Sequence, residues 1–463
     1  MTEATDHLFP ADRATRAIAH ELYDEVAGAP IISPHGHVDP RLLADDAPFR
    51  DPADLFLTHD HYVTRLLHSG GISLADLGVG RAAPVDPRAA WRILAERWHM
   101  FAGTSSGYWL ERELEQFFGV TEELSADSAD RVYDRIAAAL ADPAMRPRAL
   151  FDQFGIDVLA TTDDPLDDLS VHARIAADPT FPGRVLPTFR PDAYLDPAVP
   201  DFAERVARLI AQAGQETTFS GYLAAIEARR AHFIAHGAVS TDHGVTEPFA
   251  TDLDPDAAEK LFAGAIAGEL DATSARIFRG HMLFQMARMS VEDGLVMTVH
   301  PGVFRGHHTR TLERFGPDTG HDIPLRTEFV ESLRPLLQAF GTAPGFHLVL
   351  FSVDETAYSR EIAPLAGFYP SVYIGAPWWF LDAPDAILRW RSAVTETAGF
   401  YRGSGFIDDT RAFLSIPARH DTARRMDAAF LARLVIEGRV TRRTATRIVR
   451  DLVDAIPREV FKL

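Results

Sequence analysis

A chain of 463 residues, 46% hydrophobic and 24% charged, is long enough to bury a large core and has the balance of an ordinary globular enzyme. Its formal net charge of −20, with no compensating basic patch, argues against nucleic acid or an acidic membrane surface as partner. The absence of cysteine removes disulfides, thiolate zinc sites and cysteine nucleophiles, and Lys260 and Lys462 are the sole lysines among 46 basic residues, so lysine chemistry has almost no place to occur.

The first thirty residues carry acids and a helical pattern (Ile18, Leu22, Val26), unlike the basic start and apolar core of a secretory signal. No apolar run approaches the length of a membrane span, so a cytoplasmic enzyme is expected. A first strand, 30 to 33, runs into His35 and His37. Residues two apart on a strand share a face, so both imidazoles aim at one point, either as half of a metal site or as an ordinary polar strand end.

From 40 to 150 strand character is scarce, and segments such as 89–101 and 129–140 have helical composition and period. This is a helical insertion after the first strand, its body at 72–150. Seven further short apolar segments follow: 157–160, 185–188, 238–240, 295–299, 346–351, 371–374 and 405–407, with helical stretches near 202–213, 222–236 and 256–292. Eight such strands separated by helices indicate a (β/α)₈ barrel, which we read as one domain over 1–463. No internal repeat or low-complexity segment competes with it.

The strand ends carry the chemistry. Strands one, two, three, four, five and eight each end in His, Asp or Arg, and that face of a barrel is where such enzymes place their sites. After strand eight, Asp408 or Asp409 is placed to complete a metal site with His35 and His37, or else to cap a helix. Strand four ends in Ser-Thr-Asp, not Lys, which favours one metal over a bridged pair. Arg190, Arg305 and Arg411 follow strands three, five and eight, and guanidinium pairs naturally with a carboxylate, so an anionic substrate is expected. Tyr62, in Asp60-His61-Tyr62, becomes a useful base only where an arginine or metal lowers its pKa; otherwise it is a packed aromatic. Trp378-Trp379-Phe380 walls the pocket or belongs to the core.

These stretches, with Thr161-Thr162-Asp163-Asp164-Pro165, Arg190-Pro191-Asp192, Ser240-Thr241-Asp242-His243-Gly244, His300 with Arg305, Gly316-Pro317-Asp318-Thr319-Gly320, and Asp409-Thr410-Arg411 before Phe413-Leu414-Ser415, resemble the uronate isomerases of the amidohydrolase superfamily. They run in order from about residue 30 to 420. The resemblance implies a distorted barrel and a zinc-type site of one divalent ion at His35, His37 and Asp409. It also implies substrate contacts from His61, Tyr62, Arg190, Asp242, His300, Arg305, Trp378 and Arg411.

The implied reaction interconverts an aldohexuronate and a ketohexuronate through an enediol, D-glucuronate to D-fructuronate or D-galacturonate to D-tagaturonate. Asp409 and Tyr62, the latter activated by Arg411, would move the protons, and Arg190 and Arg305 would clamp the carboxylate. The sequence departs from the family pattern at Gly306-His307-His308 and at Val38-Asp39, which leaves the choice of sugar acid open. The competing readings are a mononuclear zinc hydrolase or deaminase in which Asp409 activates water, and a non-catalytic sugar-acid binder. A small-molecule sugar acid is the expected partner, and a homo-oligomer is compatible with this reading.

Overall fold

In a computed structural model that describes residues 6–80 and 85–463, short parallel strands are flanked by helices throughout. In chain order the strands are β1 (Ile31–Ser33), β2 (Ile156–Ala160), β3 (Arg184–Leu186), β4 (Ser240–His243), β5 (Val296–Val299), β6 (Val303–Phe304), β7 (Ile323–Pro324), β8 (Leu348–Leu350) and β9 (Val372–Ile374). They pair in parallel as β1-β2-β3 and as β4-β5-β8-β9, while β6 and β7 form a small antiparallel hairpin. Phe189 joins the two parallel groups, donating its N–H to Ser240 and accepting from Asp242. The fold is that of a distorted (β/α)₈ barrel. Strands β2, β5, β8 and β9 are apolar almost without interruption because helices or the barrel interior cover both faces.

The structure corrects the sequence reading at the fourth and eighth strands and adds a hairpin. The fourth lies further along than 238–240, over Ser240–His243, and is fully buried despite its polar side chains. Its backbone is held by Phe189 and by the Thr298 hydroxyl, which donates to the Thr241 carbonyl. The expected eighth strand, 405–407, forms no ladder: pairing stops after Ser404 donates to the Ile374 carbonyl, and the chain then turns at Gly405, whose φ is +77°. A side chain at Gly405 would meet Pro457 at 3.0 Å, so only glycine makes this bend. The segment rejoins the barrel at its mouth, where the His37 N–H donates to the Thr410 carbonyl at 2.9 Å. The hairpin β6–β7 was not anticipated, since two-residue strands leave no periodic signal.

The insertion is helical as expected, with helices Pro87–Glu96, Ser105–Phe118 and Ala129–Leu140; residues 81–84 of it lie outside the described residues. Among the described residues it has no core of its own. Trp91, Phe101 and Ile136 pack in the same apolar cluster as Ile31, Ile156, Leu159 and Phe413 of the barrel. Helix Ser105–Phe118 presses one face against the barrel mouth and carries Glu113, only 4% exposed, into that contact.

Burial, reinforced by the charge of Asp60, pushes the Glu113 carboxyl up to about 8. A folded state that keeps a proton the unfolded chain releases near the ordinary value of 4.5 loses stability as pH rises from there through about 8. Glu113→Gln is therefore expected to unfold at the same temperature as the parent at pH 4. At pH 9 it should be more stable by about 3–5 kcal/mol. Parallel melting curves from pH 4 to 9 would show that Glu113 is not held protonated.

Candidate active site

The strand ends open on a cavity of about 230 Å³, a size suited to a small polar molecule. Its wall carries eight of the residues singled out from the sequence: His37, His61, Tyr62, Arg190, Arg305, Trp378, Asp409 and Arg411. The other three, His35, Asp242 and His300, are buried behind it, His35 against Asp409 and Asp242 against both Arg190 and His300.

The centre of the site is Asp409. Its Oδ1 lies 3.3 Å from His35 Nε2 and 2.9 Å from His37 Nε2. Neither approach has hydrogen-bonding geometry, so Oδ1 is buried without a hydrogen-bond partner. Two imidazole nitrogens and a carboxylate oxygen converging on one point are what a metal-ligand set looks like. Ligand atoms about 2.1 Å from a tetrahedral ion stand about 3.4 Å apart, close to these separations. His35, His37 and Asp409 thus form a group able to hold a metal ion, and His35, Asp242 and His300 form a second, overlapping group.

Several local devices hold this arrangement. Gly36 separates the two histidines, and a side chain there would come within 3.3 Å of Asp408, so glycine lets the first and eighth segments touch. Thr162 Oγ1 donates to the Gly36 carbonyl at 2.7 Å. The His35 ring stacks on that of His300, with centroids 4.5 Å apart, and His300 stacks in turn on Phe351 at 4.1 Å. Nδ1 of His300 lies 2.8 Å from Asp242 Oδ1, leaving its Nε2 buried and unpartnered. Three non-glycine residues of the wall have left-handed backbone, Asp409 (φ 44°), Trp379 (φ 55°) and Asp318 (φ 57°), a concentration of strain of the kind that functional sites store.

Burial alone would raise the pKa of Asp409, but the two flanking imidazoles outweigh it and hold the carboxyl well below its ordinary value. For Asp242 burial is likewise overcome, here by Arg190, His35 and His300. Burial, followed by the charge of Arg411, pushes His61 down to about 3, so its ring is neutral.

The expectation that Arg411 lowers the Tyr62 pKa is not met. Burial pushes the hydroxyl above its ordinary value, and the guanidinium over the Tyr62 ring is that of Arg419, 5.0 Å from the centroid. Arg411 pairs instead with Asp318 at 3.3 Å. Tyr62 is placed by helix His61–Ser69, whose N-cap Asp60 accepts from the Tyr62 N–H at 2.8 Å, and its ring stacks on His61.

The arginines are also prearranged. Asp192 fixes Arg190 at 2.8 Å and accepts from the Gly244 N–H at 3.0 Å, tying the third and fourth strand ends together. Arg305, at the root of the β6–β7 hairpin, pairs with Asp322 at 3.0 Å and approaches Asp318 at 3.7 Å. Its guanidinium lies 5.0 Å from the centre of the Trp379 ring. The sequence reading missed Asp318, Asp382 and Arg419 as residues of this region. Asp318 sits in a turn that was noticed, Gly316-Pro317-Asp318-Thr319-Gly320, and Arg419 in the first turns of the helix after strand eight, Ser415–Ile436.

Comparison with known proteins agrees along the whole chain. The family model for glucuronate isomerase matches residues 6–461. A uronate isomerase of Corynebacterium efficiens is 51% identical over 460 residues, covering 99% of this chain and 98% of that protein. The crystal structure of a glucuronate isomerase from Caulobacter crescentus superimposes with a TM-score of 0.97 at 47% identity, covering 100% of this chain and 97% of that one. That of a uronate isomerase from Thermotoga maritima has a TM-score of 0.93 at 27% identity and covers both chains completely. The chain belongs to the uronate isomerase family.

Proposed function

We propose that this aldose–ketose isomerase takes a free hexuronate, D-glucuronate, D-galacturonate or both, and converts it to the 2-ketose, as a cytoplasmic enzyme of sugar-acid metabolism. The observation that supports this reading best is an ionised carboxylate, Asp409, on the wall of a small cavity that also presents Arg190, Arg305 and Arg411. A hydrolase or deaminase on the same barrel is not favoured, because the relatives that share about half of this chain's residues are named uronate or glucuronate isomerases.

In this reading Arg190 and Arg305 take the C6 carboxylate, since a planar fork matches two carboxylate oxygens. The open-chain substrate then lies with C1 and C2 toward Asp409. One oxygen of Asp409 faces His35 and His37, and the other takes the C2 proton and returns it to C1. Tyr62, which burial keeps protonated, donates to the oxygen that gains charge and relays a proton from O2 to O1. The C2–H bond and the C1=O double bond are replaced by a C1–H bond and a C2=O double bond, with no net gain or loss of protons. Arg411 supplies positive charge beside the enediolate oxygens. A divalent ion held by His35, His37 and Asp409, zinc on the chemistry of that donor set, would polarise the substrate carbonyl and hydroxyl. His61, as a neutral ring, and Trp378 complete the contacts, with the Asp242–His300 pair behind them holding Arg190 and the His35 ring in place.

Incubated with D-glucuronate in D₂O, the purified protein is expected to generate ketose signals in the proton NMR spectrum, with exchange or transfer of the C2 hydrogen. An unchanged spectrum with both glucuronate and galacturonate would overturn the substrate assignment. Asp409→Asn should lower kcat by about 10³-fold or more while leaving the circular dichroism unchanged, since the residue is at the mouth and not in the core. Near-parental activity would remove Asp409 from the proton transfer. Removing bound metal with a chelator is expected to lower kcat, and adding zinc to restore it; undiminished turnover would leave the ion without a role in the chemistry.

A further inference from the structure

Arg419 makes contacts that its place in the sequence does not announce. It is 1% exposed, behind the cavity wall, in the second turn of helix Ser415–Ile436. Nη1 donates to Asp382 Oδ2 at 2.8 Å and to the Asp408 carbonyl at 3.4 Å, and Nε donates to Ser415 Oγ at 3.0 Å. Its Cζ lies 3.8 Å from the Trp109 ring centre and 5.0 Å from that of Tyr62. A guanidinium taken wholly out of water is an expensive way to stabilise a fold, and apolar packing would serve at least as well. The contacts suggest a different purpose.

Each comes from a separate part of the mouth. Trp109 belongs to the insertion, Tyr62 to the helix after strand one, Asp382 to the loop that follows Trp378 and Trp379, and Asp408 to segment eight. Two of these contacts govern the reacting groups directly. The planar guanidinium lies against the ring of Tyr62. It also holds the carbonyl of the peptide that joins Asp408 to Asp409, and so limits rotation at the left-handed φ of Asp409. On the far side of Asp409 the Thr410 carbonyl is held by the His37 N–H. The strained residue is pinned from both ends.

We propose that Arg419 is a positioning residue for the isomerisation, setting the Asp409 backbone and the Tyr62 ring together without touching substrate. The proposal rests on the isomerase reading above. Arg190 is held by Asp192 and Asp242 and Arg305 by Asp322 and Asp318, none of them an acceptor of Arg419, so the carboxylate clamp is held separately. Loss of Arg419 therefore acts on turnover and spares substrate affinity. Lysine keeps a charge for Asp382, but a point-like ammonium cannot stack on two rings while bonding Asp382, Asp408 and Ser415.

The test is steady-state kinetics of the zinc-supplied full chain and its Arg419→Lys variant with the uronate that the parent converts. Conversion by the parent is the control, and its failure would sink the isomerase reading itself. With an active parent, Arg419→Lys is expected to lose about 10²-fold in kcat with KM within about threefold, the pattern of an interaction that matters in the transition state and not in the ground state. Unchanged kcat, or a rise in KM that accounts for the loss, would overturn the proposal. So would a fall in kcat that only matches the fraction of unfolded protein seen by circular dichroism. Should Arg419→Lys not fold, Ser415→Ala decides: it removes the acceptor of Nε, together with that hydroxyl's bonds to the Ala412 carbonyl and Thr410 Oγ1, and leaves the Asp382 and Asp408 bonds in place. A fall in kcat of about fivefold at constant KM supports the positioning role, and parental kcat refutes it.

Discussion

The site depends on keeping one buried carboxylate charged. Desolvation works to protonate Asp409, and the imidazoles of His35 and His37, brought to within 3.3 Å, do most to reverse that tendency. Those three residues come from opposite ends of the chain. What unites them is a narrow contact between the first and eighth barrel segments: one backbone hydrogen bond from His37 to Thr410, and a glycine at 36 that leaves room for it. A fully laddered eighth strand would carry Asp409 in extended backbone and aim its carboxylate elsewhere. The bend at Gly405 and the left-handed turn at Asp409 are thus parts of one device, a departure from regular barrel geometry that redirects a single side chain.

The walls around that carboxylate are built from segments with little in common except where they meet. The β6–β7 connection contributes Arg305 and Asp318, the loop after β9 contributes Trp378 and Trp379, and the insertion backs the wall with Trp109 against Tyr62. Because the insertion shares the apolar cluster of β1 and β2, its helices cannot drift independently of the strands that present His35 and Thr162. Rigid placement of catalytic groups on packed elements, with mobile loops kept to a minimum, is what proton transfer between adjacent carbons requires, since small errors in distance are costly there.

Much of this could be read from residue order. His35, His37 and Arg190 reach the mouth region because each follows a short apolar strand, and parallel strands in a barrel must end on the same face; Arg305, Asp409 and Arg411 reach it too, by way of the hairpin and the bent eighth segment. What could not be read depends on three dimensions. The shift of Tyr62 has its sign set by burial, which no local pattern reports, so the arginine expected to lower its pKa turned out to be paired with Asp318. Arg419 is one basic residue among 46 and looks like any helical surface arginine until the packing encloses it. The hairpin strands Val303–Phe304 and Ile323–Pro324 are too short for any period to show. Asp318 lay in a turn that was noticed, but the direction of its side chain follows from a positive φ at a non-glycine residue, which sequence alone does not disclose.

That aspartate has a consequence for recognition. Asp318 stands 3.3 Å from Arg411 and 3.7 Å from Arg305, so the resting cavity is already an ion-paired assembly, with a carboxylate of the protein's own facing two of its cations. An arriving sugar acid exchanges one counter-ion for another and neutralises no bare charge. The electrostatic gain on entry is the small difference between two similar pairs, and discrimination falls to shape and to the sugar hydroxyls. A neutral sugar of the same outline has nothing to offer in that exchange, while a small inorganic anion offers charge without the hydroxyls, and neither can take the place of both.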